Sequence, residues 1–462
     1  MQKELDLFNR LARLLVQHEQ DEPVVTPIPA EELHKTLHIS LGDAPASDNE
    51  FEEALEALVL NTPRTASRKF FNQLFGGRTP RATLGDLLAV MLNNSMYTYK
   101  VAGPQVGIEK EILRHVRALA GYGPKADGTF APGGSMCNFV AMLMARDAHN
   151  QRIRQEGVQG KLISYTSSES HYSVPKNAAF LGLGREQVRY VACNERGEML
   201  ASDLDRQIQG DLDNGFQPFF VNATAGTTVL GAFDDINAIS EVTKKHNLWL
   251  HIDGAYCGGA IFSNDYKHLL SGLEKTDSFS FNAHKMLGTP LSCSILITQD
   301  RKHLHDSLSN DASYLYQTDS DDYNLGKTSI QCGRRNDALK LWSLWKSVGT
   351  SGLEKMVNHQ FHLADVAREY VRNHPDYTDF SIDNSVSVCF NYKGIPAQKL
   401  CTGLYESGRL VVGYGSFGDD EFVRLVTVNA GNSPEDILDF FADLEKYVAE
   451  IYEQQPTELH KA

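Results

Sequence analysis

The sequence predicts an α/β fold: a mostly parallel sheet covered by helices, followed by a smaller α+β domain. Three observations carry this. From about residue 83 to 345, helical segments alternate with the short apolar runs "KLISYTS", "VRYVAC", "PFFVNAT", "LWLHID", "SFSFNA" and "SCSILIT". Runs of this kind, rich in β-formers and bounded by Gly, Ser and Asp, mark buried parallel strands when helix-length stretches separate them. Further on, "SVSVCFNY", "RLVVGYG" and "FVRLVTVNA" read as strands between two helices. Finally, 462 residues exceed the size at which one core keeps growing, so smaller lobes are expected beside a large domain.

In chain order, residues 1–60 read as two amphipathic helices split by "DEPVVTPIPAEEL", the second near "NEFEEALEALVLN". Two helices cannot bury both apolar faces alone, so the segment 1–82 is expected to pack on the body of the protein or on a second subunit. The large domain is expected over 83–347 and the small C-terminal domain over 348–462. The latter begins in the helical stretch "LKLWSLWKSVGTSGLEKMVNHQFHLADVAREYVRNH" and closes with "SPEDILDFFADLEKYVAEIYEQ", which opens on Ser433 with Glu435 and Asp436 in its first turn.

Composition excludes several classes of function. A formal charge of −15 argues against nucleic-acid and anionic-membrane partners, which need clustered Lys and Arg. The seven cysteines are scattered, with no C-x-x-C spacing, as in a reduced cytoplasmic protein. Neither a signal peptide nor a membrane-length apolar stretch is visible. His359 and His362 lie one helical turn apart without a third ligand, so no metal site is expected. "GYGSFG" matches G-x-G-x-x-G, but a strand rather than a helix follows it.

Open parallel sheets hold ligands at the carboxyl ends of their strands, and five such ends carry unusual residues. "LWLHIDGAY" ends on Asp253, and a carboxylate there is costly unless a cation or several donors meet it. "SFSFNAHK" ends on Lys285. "APGGSMCNFV" places Gly133, Gly134 and Ser135 before an apolar helix, offering backbone N–H groups to a phosphate. "VNATAGTTVLGAFD" offers Thr227 and Thr228, and "TSSESHYSVPK" offers His171. Singly, these read as a helix cap, a surface lysine, a turn and a core histidine. Together they match the needs of pyridoxal 5′-phosphate: an amine that condenses with an aldehyde, a carboxylate for a protonated ring nitrogen, a ring to stack on a flat ring, and a helix N-terminus for a phosphate ester.

"PGGSMCN", "SSESHYS", "VNATAGTTVLGAFD", "LWLHIDGAYCGG", "FNAHKMLG" and "IQCGRRND" resemble the group II pyridoxal-phosphate decarboxylases of acidic amino acids, the family of the glutamate, cysteine sulfinate and aspartate decarboxylases. The resemblance runs from "FFNQLF" to "FVRLVTVNA". It implies the aspartate-aminotransferase-like fold type I of PLP enzymes, in a homodimer with active sites at the subunit interface. It also implies that Lys285 holds the cofactor, Asp253 its ring nitrogen, and that His171 and Ala255 cover its two faces. Thr228 would sit near a ring substituent. Ser135, Met136 and Cys137 would contact the phosphate, with Asn282 and His284 close by. Tyr323, in "YLYQTDSDDYNLGKTS", matches a mobile-loop tyrosine that delivers a proton to the reacting carbon, and the "DASYLYQ" region would cross to the partner subunit. Two departures stand out: Ala283 replaces the proline of the usual N-P-H-K, which should relax the backbone there, and Cys137 replaces a serine.

For the substrate, the resemblance assigns Arg424 to the distal acidic group, which a guanidinium grips through two parallel hydrogen bonds. Gln73, Phe75, Ser95 and Tyr97 would complete the pocket. Glutamate decarboxylases tend to carry Ser, Asn and Phe where this chain has Phe75, Ser95 and Tyr97, which follow the cysteine sulfinate and aspartate branch. A phenylalanine in place of serine fills volume and favours an acid one methylene shorter than glutamate. The expected products are hypotaurine or β-alanine, as in taurine biosynthesis; glutamate decarboxylation to GABA is the alternative. A cofactor-binding, non-catalytic chain is the reading from another class, against which Lys285, Asp253, His171 and Arg424 all stand.

Overall fold

The computed structural model describes residues 1–21, 23–309 and 321–451. The chain divides into two compact units, one formed by Arg78–His362 with Ile382–Ser387, the other by Met1–Gly77, Leu363–Ser381 and Val388–Ala462.

The first unit is built on seven strands: β1 (Asp127–Ala131), β2 (Leu162–Ser167), β3 (Val188–Val191), β4 (Gln217–Thr224), β5 (Trp249–Gly254), β6 (Ser278–Asn282) and β7 (Ser294–Thr298). Their order across the sheet is β1-β7-β6-β5-β4-β2-β3. Strands β2 to β6 pair in parallel, and β7 runs antiparallel to both β6 and β1. All residues of β1, β2, β5, β6 and β7 are buried, as strands covered on both faces should be. Because β7 alone is reversed against β6 and β1, the carboxyl ends of β1, β2, β4, β5 and β6 lie along one edge. There Ala131 pairs with Ser294 and Ser294 with Asn282. The sequence reading passes over β1.

The helix Gly134–His149 leaves that edge straight after β1 and returns across the sheet. Its apolar face, including Cys137, Val140, Ala141 and Met144, joins Leu162, Phe220 and Leu296 in one buried cluster. The helical run Ala338–Asn373 is not one helix: Gly349, at φ 69°, breaks it where the sequence reads a single long stretch.

The second unit has four more strands, β8 (Tyr377–Asp379), β9 (Ser387–Tyr392), β10 (Gly413–Phe417) and β11 (Asp420–Val426), in the order β10-β11-β9-β8. "GYGSFG" is therefore β10 plus the hairpin turn at Gly418, not a nucleotide loop. The closing helix Pro434–Ile451 buries Ile437, Phe440, Phe441 and Leu444 against Phe390, Val423 and Leu425. The extended segment before Gly77 lies along the same strands: the Phe71 N–H donates to Val411 O at 2.7 Å, and the Val426 N–H to Phe71 O at 3.3 Å. The two N-terminal helices, Gln2–Gln17 and Asp48–Leu60, are joined by exposed ion pairs of Arg10 with Glu52 and Glu56. Among the described residues, no helix is long and apolar enough to cross a membrane.

Candidate active site

The strand ends enclose a cleft with about 450 Å³ of open space, lined by residues between Gly134 and Lys285. Lys285, Asp253, His171, Ser135, Thr228, Ala255 and Asn282 all line it, so seven residues from five separate loops converge.

Asp253, at the end of β5, is 3% exposed. Its two oxygens each receive one donor: Oδ1 the Ala255 N–H at 3.0 Å, Oδ2 the Asn138 side-chain N–H at 2.6 Å. A buried carboxylate needs such partners. Lys285 follows β6 in a tight turn: its N–H donates to Asn282 O, and the Gly288 N–H donates to Lys285 O, both at 3.1 Å. Its ammonium stands 5.8 Å from the centre of the Tyr256 ring, and the Tyr256 hydroxyl is 2.9 Å from Ser387 Oγ. The residue before His284 uses the N–H that a proline would lack: the Ala283 N–H donates to Cys293 O at 2.8 Å.

His171 accepts the Ser173 N–H on Nδ1 at 3.2 Å. Burial holds this imidazole below its usual titration range, the charges of Lys285 and Lys176 act in the same direction, and Asp253 opposes them. A neutral, flat ring thus forms one wall. At the helix start, the Met136 and Cys137 N–H groups already donate to Gly133 O, at 3.0 and 3.1 Å. The donors that line the cleft are therefore those of Gly134 and Ser135 at a helix N-terminus, which favours an anion. Gly134 is required for the close approach, since a Cβ there would lie 2.9 Å from that of Ala255.

Other expected residues fall outside the lining. Met136 and Cys137 lie on other faces of the helix than Ser135 and Asn138: Met136 packs against the apolar cluster, and the Cys137 side chain turns into it, where burial pushes its thiol far up. His284 is held away by β7: the Cys293 N–H donates to its Nδ1 at 2.9 Å. Ser95 and Tyr97 belong to another loop cluster. The Ser95 hydroxyl lies 3.2 Å from Cys332 O, and the Gly326 N–H donates to Tyr97 O at 2.8 Å. Tyr323 joins that cluster, 42% exposed, with its ring 5.5 Å from the ring of Tyr99. The "DASYLYQ" region lies outside the described residues. Gln73, Phe75 and Arg424 belong to the other unit, where Arg424 Nη2 donates to Asn72 O at 2.9 Å.

Sequence reasoning missed Asn138, Thr224 and Tyr256 in the lining. The spacing could have shown Asn138, one helical turn beyond Gly134 and Ser135. Among the described residues, no group of three or more His, Cys, Asp or Glu could hold a metal.

The conserved domain of pyridoxal-dependent decarboxylases matches residues 31–393. The chain belongs to that family. Human cysteine sulfinic acid decarboxylase is 37% identical over 446 residues, covering 90% of this chain and 89% of its own length. The acidic amino acid decarboxylase GADL1 of Mus musculus is 35% identical over 439 residues, covering 90% and 80%. The crystal structure of mouse CSAD superposes with a TM-score of 0.91 at 34% identity, over 97% of this chain and 99% of that one. The structure of Oryza sativa TDC with PLP and tryptamine shares the fold, with a TM-score of 0.90 at 23% identity.

The chain is thus an amino acid decarboxylase that uses pyridoxal phosphate. The cleft fits that cofactor. It offers an amine, a buried carboxylate and a helix N-terminus, and two atoms of its lining residues, Asn282 Oδ1 and Thr224 Oγ1, are buried without a hydrogen-bond partner among the described residues. Buried polar atoms left in this way call for a ligand or water.

Two further histidines near the cleft, His251 and His284, are lowered to about 4, chiefly by burial, which disfavours the charged ring. In the decarboxylase both should therefore give neutral imidazole signals in histidine-selective ¹⁵N NMR at about pH 5.5, where an exposed histidine is mostly protonated. Protonated signals for both at that pH would contradict the burial described.

Proposed function

We propose that the decarboxylase removes the α-carboxylate of a short acidic amino acid, cysteine sulfinate or aspartate, giving hypotaurine or β-alanine. One observation carries this reading. Arg424, on β11, donates to the backbone of Asn72 and so stands beside the segment that presents Gln73 and Phe75. A guanidinium for a distal acid and a bulky ring in the same short segment suit a short side chain better than a long one. The names of the human and mouse relatives point in the same direction.

In this reading Lys285 would hold the cofactor through its aldehyde, Asp253 would serve its ring nitrogen, His171 and Ala255 would cover its faces, Thr228 would stand near a ring substituent, and the Gly134 and Ser135 N–H groups would meet its phosphate. When bound, the cofactor supplies a ring that accepts the electron pair left on the α-carbon as CO₂ departs. The neutral His171 wall would keep water from one face, and Tyr323 would deliver the proton that takes the place of CO₂ on the α-carbon; His171 could do so only after its ring had itself taken up a proton. Tyr323 is 42% exposed, and in this reading it would act in the cleft of a second copy. The helix Pro80–Leu92 supports a homodimer, because Leu84, Leu88 and Met91 form an exposed apolar face on it. A mass in solution equal to one chain would overturn that expectation.

The deciding experiment is CO₂ release from cysteine sulfinate, aspartate and glutamate side by side, with the wild type and Phe75→Ser. The short acids should lead, and Phe75→Ser should shift the ratio toward glutamate by about 1–3 kcal/mol, the worth of one methylene in a pocket. Glutamate as the fastest wild-type substrate would replace this reading with glutamate decarboxylation.

A further inference from the structure

Behind Asp253 lies a buried polar chain that the reaction itself does not use. Its members come from three elements. His251 sits two residues before Asp253 on β5, so both side chains point to one face of the sheet. Ser278 is its register partner on β6. Asn138 comes from the first turns of the helix that begins at the cleft.

The network assigns the hydrogens once the carboxylate is taken as an acceptor. Asn138 Nδ2 is 2.6 Å from Asp253 Oδ2 and 3.1 Å from Ser173 Oγ. A carboxylate accepts, so the amide presents N–H to it, and the amide's carbonyl oxygen is left facing His251 Nε2 at 3.1 Å. That nitrogen must then carry the ring's hydrogen. In a neutral ring the other nitrogen, Nδ1, accepts the Ser278 hydroxyl at 2.9 Å, and the same oxygen accepts the Trp249 Nε1–H at 2.9 Å. His251, Ser278, Asn138 and Asp253 are at most 3% exposed, so water does not compete. Each donor points toward Asp253.

We propose that Asn138 and His251 are positioning residues: His251, oriented by Ser278 and Trp249, locks the Asn138 amide so that it always offers N–H to Asp253 and leaves that carboxylate an acceptor toward the cofactor's ring nitrogen. Were the amide to flip, its carbonyl oxygen would face the carboxylate, two acceptors that repel; the contact could be relieved only by a proton taken up from solvent onto the carboxyl group, which would then be lost as the anionic acceptor that a ring N–H needs. The His251 Nε2–H opposes the flip, because a flipped amide would set N–H against N–H. The second N–H of the same amide meets Ser173 Oγ, and the Ser173 backbone N–H donates to His171 Nδ1. One amide therefore holds both the carboxylate that would meet the cofactor's ring nitrogen and, through Ser173, the imidazole that would cover one face of the ring.

This inference rests on the placement of Asp253 at the ring nitrogen, and the test separates the two. The probes are pyridoxal phosphate and its carbocyclic analogue, with C–H in place of the ring nitrogen, titrated into the full chain freed of cofactor and followed by tryptophan fluorescence. The wild type should bind pyridoxal phosphate more tightly than the analogue. His251→Leu and Asn138→Ala should each shrink that ratio about tenfold, the scale of one hydrogen bond to a charged group, with affinity for the analogue held within about twofold. His251→Gln, whose side-chain N–H can reach the same Asn138 oxygen, should keep the wild-type ratio. Should His251→Leu fail to fold, Asn138→Ala decides alone. A wild-type ratio of one overturns the placement of Asp253 and the inference with it. A wild-type preference that survives in the variants, a parallel loss for both probes, or a His251→Gln chain as weak as His251→Leu overturns the positioning role alone.

Discussion

Lys285→Ala is expected to lower CO₂ release to about a thousandth of the wild-type rate or less, about 4 kcal/mol or more of barrier. The reason is positional as much as chemical. The lysine ends a strand buried along its whole length and is fixed by a tight turn from Asn282 to Gly288, and its ammonium faces the Tyr256 ring. Among the described residues, no second lysine lines the cleft to take over the amine's work. The measurement is CO₂ release at saturating pyridoxal phosphate, together with the visible absorption of the bound cofactor, which the variant should lack. Activity within tenfold of the wild type would remove Lys285 from the mechanism.

Asp253→Asn should have the second-largest effect, a loss of about 3–5 kcal/mol, roughly 10²- to 10⁴-fold in rate, because it leaves one side of a buried charged pair without its partner. Asparagine keeps the size and the hydrogen-bonding shape, so the fold should survive. The Ala255 N–H can still find an oxygen, and the Asn138 amide then faces either a carbonyl or an N–H. Circular dichroism unchanged with CO₂ release collapsed is the expected outcome. A variant as active as the wild type would mean that the ring nitrogen is not held here.

Much of this was legible in the sequence, for a simple physical reason. Lys285, Asp253 and His171 each lie at or just beyond the end of a short run rich in apolar and β-forming residues, and a polar side chain at the end of a buried strand has few places to go except a ligand cleft. Other features were hidden because they exist only after assembly. Strand β1, "DGTFA", holds an Asp, a Gly and a Thr and reads as a loop; its burial comes from pairing with β7. Asn138 is a polar residue inside a helix and His251 one inside a strand, and neither betrays a task until the helix, β5 and β6 are brought together. Cys137 went astray through periodicity. It follows Ser135 by two residues, which in a helix turns it toward the opposite face, into the core. The break at Gly349 was masked by apolar periodicity on both sides of it.

The cleft is assembled from the ends of β1, β2, β4, β5 and β6, whose loops lie far apart along the chain, and this ties the cofactor to folding. A partly folded chain holds no fragment of the site, since Ser135 and Lys285 meet the same cavity only once the strands between them are in register. Contacts of such long sequence separation form slowly. Pyridoxal phosphate therefore recognises the finished sheet and not its precursors, and every increment of its binding free energy is added to the stability of the native state, about 2.7 kcal/mol when the cofactor is present at a hundred times its dissociation constant. Supply of the cofactor thus governs how long the folded protein endures as well as how fast it turns over.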